Sequence, residues 1–432
     1  MIRYKFISTL FLTIFLLLLS GKSTSCSMYK VTAGNKTNVG SNYDAYYLTS
    51  RIWFETAKKT GEYGCIFSGG RLESASTGFS PQSGMNEFGL FFCGAATPPV
   101  TVSSDSKKIQ IPSRAIYLKA ILQHCKTIED VKEYVSKHDR SAINADIFLY
   151  VDPSGKYIIV EPDTLIVGTD ATCVLSNFCR STTKEEDALK MGKYRKGIEF
   201  LKHHVDTGIA FCRNLSDTMS VCRPKMGDGT LLTSIADLNN REIYYYFYHD
   251  FKHSVKFNLK NELAKGDHVF EVPKLFPLNK EYEAHKSFQT PQHNTFIRTF
   301  MFACVGIFFI SSIYFFISFF IKIRKTQFVY AKLIMSFLSI TLSAYSLILI
   351  RDETIFYFPA PYKDPGSALL SLSGYVPFLI LLVIIPLLFI AKKIYSQKLW
   401  GGLSRWAFII NNSIFIIYLG LFAYWGLFNI FN

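Results

Sequence analysis

A change of texture near residue 296 constrains this chain more than any single motif. Before it, apolar runs are strand-sized and broken by Gly, Pro, Asn and charge, the pattern of a water-exposed globular domain. After it come four apolar segments, 299–321, 331–350, 368–391 and 406–430. Each is long enough to cross a bilayer as a helix, which takes about 20 residues. Lipid offers the backbone no hydrogen bonds, so such segments fold as helices. The expected organisation is therefore a soluble domain over 26–296 followed by a bundle of about four transmembrane helices over 297–432.

Loop charge orients the bundle. The connection after the first span carries Lys322, Arg324, Lys325 and Lys332, and that after the third carries Lys392, Lys393, Lys398 and Arg405. After the second span, Arg351 and Lys363 are opposed by Asp352, Glu353 and Asp364. The two basic loops belong on the cytoplasmic side, which leaves the domain before residue 296 outside. Residues 1–25 lead to the same topology: Arg3 and Lys5 precede the apolar run Leu10–Leu19, and Ser23, Thr24 and Ser25 lead into Cys26. This is signal-peptide anatomy with the cut placed directly before Cys26. A multi-pass membrane protein with an extracytoplasmic soluble domain is the expected localisation, with the lipid bilayer as a partner.

Within the spans no carboxylate or basic residue is expected to mark an ion pathway, Lys332 at the edge of 331–350 being counted with the basic loop, and only Pro386 and the pair Asn411 and Asn412 stand out. The bundle reads as an anchor. Basic blocks at helix ends also account for part of the net charge of +14, and with no accompanying motif nucleic acid is not an expected partner. Nine cysteines in an exported chain permit disulfides, with Cys173/Cys179 and Cys212/Cys222 as the sequence-near pairs.

Strand signals dominate the soluble domain. Asp146–Val151 and Lys156–Glu161 flank Asp152-Pro153-Ser154-Gly155, which predicts a hairpin. Leu231–Leu238 and Arg241–His249 flank Asn239-Asn240, a two-residue turn in which Asn tolerates positive φ. Helices are expected over Arg114–His124, after a Thr127/Asp130 capping box, and over Lys184–His203 behind a strand Thr172–Asn177. Helices grouped between blocks of strands give an α+β layered sandwich.

A cysteine exposed at a mature N-terminus carries its own base, because the free α-amine has an unperturbed pKa of ~7.7–8.0. Three segments follow Cys26 in order: Gly40-Ser41-Asn42-Tyr43-Asp44, Gly84-Met85-Asn86-Glu87-Phe88-Gly89-Leu90, and Val174-Leu175-Ser176-Asn177-Phe178. Together they resemble the choloylglycine hydrolase group of N-terminal-nucleophile (Ntn) hydrolases, which includes penicillin V acylases and linear amide C–N hydrolases, over roughly 26–285. The resemblance implies a four-layer αββα sandwich in which Cys26 attacks an amide carbonyl and Asp44 orients its amine. The Asn86 backbone N–H and the Asn177 side chain would bind the oxyanion.

Asn42 and Arg223 are the substrate-binding residues the resemblance suggests, Arg223 in competition with Arg180 and Arg195. Ser41 stands where the family has an arginine. The implied reaction is hydrolysis of a small N-acyl amide through a thioester, with no cofactor. No metal is expected either, since His203-His204 and the other histidines lack ligand spacing. Transfer of the acyl group to an amine, a dipeptidase of a neighbouring family, and an inactive sensor built on the same fold are the rival readings.

Overall fold

The computed structural model describes residues 26–223, 228–322, 326–364 and 367–430, with the backbone alone given at positions 223, 228 and 322. The expected signal peptide lies outside these residues. Two compact units result, one ending at Phe288 and the other beginning at Gln289.

The soluble unit is built on two antiparallel sheets. The seven-stranded sheet runs Thr172–Leu175, Ser27–Ala33, Lys36–Ala45, Asp228–Asp237, Glu242–Phe247, Asp250–Asn258, with Cys222–Arg223 pairing on the start of Asp228–Asp237. The eight-stranded sheet runs Leu165–Gly168, Tyr157–Val160, Asp146–Val151, Phe91–Ala96, Ser83–Asn86, Cys65–Gly69, Arg51–Glu55, His268–Glu271.

Side-chain alternation along each strand sorts the apolar residues into three cores. Met28, Val39 and Leu175 of the first sheet meet Phe91, Cys93 and Leu149 of the second between the sheets. On the outer face of the first sheet, Tyr29, Val31 and Val174 pack under the helices Gly192–His203 and Ile209–Thr218 through Tyr194, Leu201 and Leu215. Phe67, Phe92 and Tyr150 do the same on the second sheet, under the helices Arg114–His124 and Ile128–Ser136. The layers are therefore helix, sheet, sheet, helix.

Local signals map closely onto these elements. Thr127 and Asp130 form the reciprocal capping box that starts Ile128–Ser136. The first hairpin closes with Val151 opposite Tyr157. In the second, Asp237 pairs with Glu242, so the connection is longer than two residues, and the positive φ falls on Arg241 rather than on an asparagine. The Asp237 carboxylate accepts from the Asn240 N–H at 3.0 Å and its Nδ2 at 2.8 Å, which stabilises the wider turn. The helix expected over 184–203 is two, Glu185–Ala188 and Gly192–His203, divided before Gly192.

Among the described residues of the second unit four helices are long and apolar enough to cross a membrane: Thr295–Ile321, Val329–Arg351, Ala368–Ser396 and Gly402–Tyr424. The third is interrupted after Ser373 and resumes at Val376 with Pro377 in its first turn, where the missing N–H costs nothing. A seam of small polar side chains joins the helices. Ser312 and Ser336 hydroxyls lie 3.2 Å apart, Ser339 donates to Asn411 Oδ1 at 3.3 Å, and Ser346 donates to the Tyr418 hydroxyl at 2.9 Å. One expectation needs correction. Lys332, placed in a loop by sequence, lies inside the helix Val329–Arg351 and is fully buried, donating to Ser318 Oγ at 2.8 Å beneath the Trp400 ring. The expectation that the spans hold no basic residue falls with it.

Candidate active site

Cys26 directly precedes the strand Ser27–Ala33, which is flanked by partners on both sides. Met28 pairs with Leu175 on one side and Ser27 with Asn42 on the other. Continued by one or two residues, these registers set Cys26 opposite Asn177 and opposite Tyr43. The pairing with the Asn177 segment is reinforced by the Ser176 hydroxyl, which donates to the Cys26 carbonyl at 3.2 Å. Strand parity then gives Cys26, Tyr43 and Asn177 the same face as Met28 and Leu175, toward the second sheet.

From that second sheet Gln82 reaches across. Its Nε2 lies 3.7 Å from Cys26 Sγ and also donates to the Gly94 carbonyl. Arg114, the first residue of its helix, holds the other end of the amide: Nη2 donates to Gln82 Oε1 at 3.4 Å, while Nε pairs with Asp146 at 3.2 Å. Cys26 is 4% exposed. Burial, and after it the negative charge of Asp44, pushes its thiol up to about 12, against the opposing pull of Lys193, an Asp44 backbone hydrogen bond and Arg114.

Asp44 and Asn42 sit on the opposite face of their strand. The Asp44 carboxylate is buried in a closed set of partners, Lys193 Nζ at 2.8 Å and the Thr230 hydroxyl at 2.6 Å. Lys193 owes its position to the interruption of the helix before Gly192, which makes it a first-turn residue of Gly192–His203. A cation is unfavourable at a helix N-terminus, and the Asp44 carboxylate offsets that cost. Asn42 is engaged within the fold: Nδ2 donates to Ser216 O at 2.8 Å and to Ser27 Oγ at 3.3 Å, and Oδ1 accepts from the Thr233 hydroxyl at 2.7 Å. It ties the helix Ile209–Thr218 to the sheet.

Asn86 is not brought to Cys26. It ends its strand four residues beyond Gln82, about 13 Å along an extended chain. Its N–H is spent on the Leu90 carbonyl at 3.0 Å, and its Nδ2 donates to Leu122 O at 2.8 Å and Cys125 O at 2.7 Å. Gly89, with φ +84°, completes this tight turn, where a Cβ would lie 2.4 Å from the Leu238 carbonyl. The Asn-Glu-Phe-Gly segment is a turn that docks a helix end, and the oxyanion role expected of Asn86 is withdrawn.

A different backbone N–H is directed toward the Cys26 edge. Thr97 N–H donates to Ala145 O at 2.8 Å, whereas Gly94 N–H donates to Gln82 O at 3.0 Å on the other edge of the strand. By this alternation Ala96 turns both its N–H and its C=O to the Gln82 edge. Asn177 Nδ2 donates to the Ala96 carbonyl at 2.6 Å, so the Ala96 N–H looks toward the Asn177 and Cys26 edge as well. Nothing in an alanine's identity announces this; only the strand's edge geometry does. Gln82, Arg114, Lys193 and Ala96 are the residues sequence reading missed.

The Arg223 side chain lies outside the described residues, although its backbone pairs with Asp228. Of the competing arginines, Arg195 faces Glu199 on the helix surface at 3.9 Å. No disulfide joins the nine cysteines. Cys212 faces the Asn38 amide at 3.6 Å and Cys222 faces Glu281 at 3.9 Å, on separate parts of the unit. A groove of about 360 Å³ beside Trp53, Glu55 and His268 lies away from this set, and Lys119 and the Trp53 indole already satisfy Glu55 there.

No family model matches the chain, and no curated protein matches it. Among solved structures it is similar to penicillin V acylase from Agrobacterium tumefaciens, at 14% identity over 51% of this chain and 82% of that one, with a TM-score of 0.41. Two variants of conjugated bile acid hydrolase from Clostridium perfringens are similar at 16% identity over 59% of this chain. They are covered to 97% and 98% of their own length, with TM-scores of 0.45 and 0.44. With every score below 0.5, the functional reading rests on the geometry around Cys26.

Proposed function

We propose that residues 26–288 form an amide hydrolase of the Ntn type, in which removal of residues 1–25 makes Cys26 both nucleophile and base. The observation that carries this reading is the convergence on Cys26 of three separately positioned elements: Asn177 opposite it on one strand, the Asp44 segment on the other, and Gln82 from the facing sheet. Before cleavage the Cys26 nitrogen is an amide, and burial keeps its thiol protonated. After cleavage the α-amine accepts the thiol proton, the thiolate attacks the acyl carbon of an amide, and the leaving amine is protonated by the α-ammonium. Water then hydrolyses the thioester.

The Asn177 amide and the Ala96 N–H are the donors best oriented for the tetrahedral oxyanion, each worth about 2.7–4 kcal/mol in such a role. Lys193 supplies, on the Asp44 side, the positive charge that Ser41 lacks. Tyr43, opposite Cys26 and stacked on Tyr47 at 6.5 Å, favours an apolar acyl group. The substrate class is thus a small N-acyl amide, and the unit sits on the extracytoplasmic side of the membrane.

The deciding experiment is N-terminal sequencing of the mature full chain together with intact-mass detection of an acyl-enzyme on a panel of N-acyl amides and β-lactams. A terminus at Cys26 and an adduct lost in Cys26→Ala are expected. A mature terminus elsewhere, or turnover retained in Cys26→Ala, would sink the assignment. Added amine that diverts product from acid to amide would identify a transferase instead.

A further inference from the structure

Away from Cys26, three side chains from distant points in the sequence converge. Cys222 lies at the end of a short strand, His249 in the turn between Glu242–Phe247 and Asp250–Asn258, and Glu281 in the first turn of the helix Lys280–Ser287. Their donor atoms all fall within 4.8 Å of one another. Glu281 Oε2 is 3.1 Å from His249 Nδ1 and 3.9 Å from Cys222 Sγ.

A tetrahedral zinc with bonds of about 2.3 Å to sulfur, 2.0–2.1 Å to nitrogen and 2.0–2.2 Å to oxygen needs edges of about 3.3 Å between N and O and about 3.5 Å between S and O. The observed separations bracket those edges, so side-chain adjustments of a few tenths of an ångström would suffice. We propose that Cys222, His249 and Glu281 bind a borderline-soft divalent cation of the zinc class, leaving a fourth position for water.

The donor chemistry agrees with this choice. Thiolate, neutral imidazole and carboxylate together carry two negative charges, which one divalent cation neutralises, and on binding the thiol gives its proton to solvent. The imidazole is held in place. His249 is 9% exposed at its side chain, its backbone lies at φ +61°, and its Nε2 has no hydrogen-bond partner among the described residues. Gly229, paired with Cys222, permits the close approach: a Cβ there would lie 2.2 Å from the Val221 carbonyl and 3.0 Å from His249 Nε2.

The third ligand is fixed independently. Asn279 caps the helix by accepting from Glu281 N–H at 3.0 Å and docks it by donating to the Tyr248 carbonyl at 2.9 Å. A cation here would staple the Cys222 strand, the His249 turn and this helix together. Because Thr230 follows Gly229 and donates to Asp44, the staple would also steady that carboxylate's partner.

The test uses the full chain in detergent, stripped with chelator and then given Zn²⁺ alone. After exhaustive dialysis the parent is expected to retain about one zinc per chain, and Co²⁺ in its place should give thiolate charge-transfer absorption. Cys222→Ser and His249→Gln should retain less than a tenth as much and lose that absorption. Folding is checked by thermal unfolding: in chelator Cys222→Ser should melt with the parent, and added Zn²⁺ should raise the parent alone. Equal retention by parent and variants, no retention by the parent, or recovery of Cys222 in a disulfide from the native protein would each overturn the site.

Discussion

At the scale of single residues, Cys26 presents a thiol that its own environment silences. Burial favours the protonated form, so in a chain with residue 25 still attached the alkylation rate of Cys26 should climb only as pH approaches about 12. In the processed chain the neighbouring amine shares the proton, and the rate should inflect near ~7.7–8.0. Mass-resolved alkylation across pH measures both curves, and coincident curves would remove the role assigned to the amine. Asp44 and Lys193 form a buried pair, so Lys193→Met should destabilise the unit by about 3–5 kcal/mol by stranding the carboxylate. Adding Asp44→Asn should recover part of that loss in a double-mutant cycle. Asn86→Ala separates fold from chemistry: each helix-end carbonyl left unpaired should cost about 1–3 kcal/mol, while Cys26 acylation in the surviving folded protein proceeds. Acylation abolished in folded Asn86→Ala would return that residue to the site.

At the scale of elements, position comes from register. One strand, Ser27–Ala33, delivers Met28 to the inter-sheet core and Tyr29 to the helix layer, and its pairings with neighbours on both sides decide what faces Cys26. A one-residue slip of the neighbouring strand Lys36–Ala45 would exchange its two faces and turn Asp44 toward the second sheet, which its ion pair with Lys193 opposes. In the membrane-length helices the polar seam plays the matching part. Asn411 donates to Ser311 Oγ at 2.8 Å and accepts from Ser339, so Asn411→Leu should weaken helix association by about 0.6 kcal/mol, within a ceiling near 1.7. Resistance to unfolding in a denaturing detergent, unchanged in the variant, would assign those contacts no energetic weight.

At the scale of the whole molecule, the charge pattern of the loops predicts which side each faces. A cysteine introduced at Lys363 should react with a membrane-impermeant maleimide on intact cells, and one at Lys398 should react only after permeabilisation. The opposite pattern would put the Cys26 unit in the cytoplasm, away from signal peptidase, and would undo the proposed activation. Two-sided agreement would leave processing and topology consistent with each other.

Much of this was legible from residue order because it is local. Capping at Thr127, the hairpin at Asp152–Gly155 and the four apolar helices depend on neighbours within a few residues or on length and hydropathy alone. The nucleophile candidate and the order Cys26, Asp44, Asn177 were legible for the same reason. What only tertiary structure decided are relations between distant segments: Lys193 as the ion-pair partner of Asp44, Gln82 and Arg114 reaching Cys26, Ala96 replacing Asn86 as the donor facing the edge, and Cys222 meeting His249 and Glu281. Side-chain type does not encode such meetings. They are set by sheet register, strand-edge direction and layer packing, which emerge only when segments far apart in the chain bury their faces against one another.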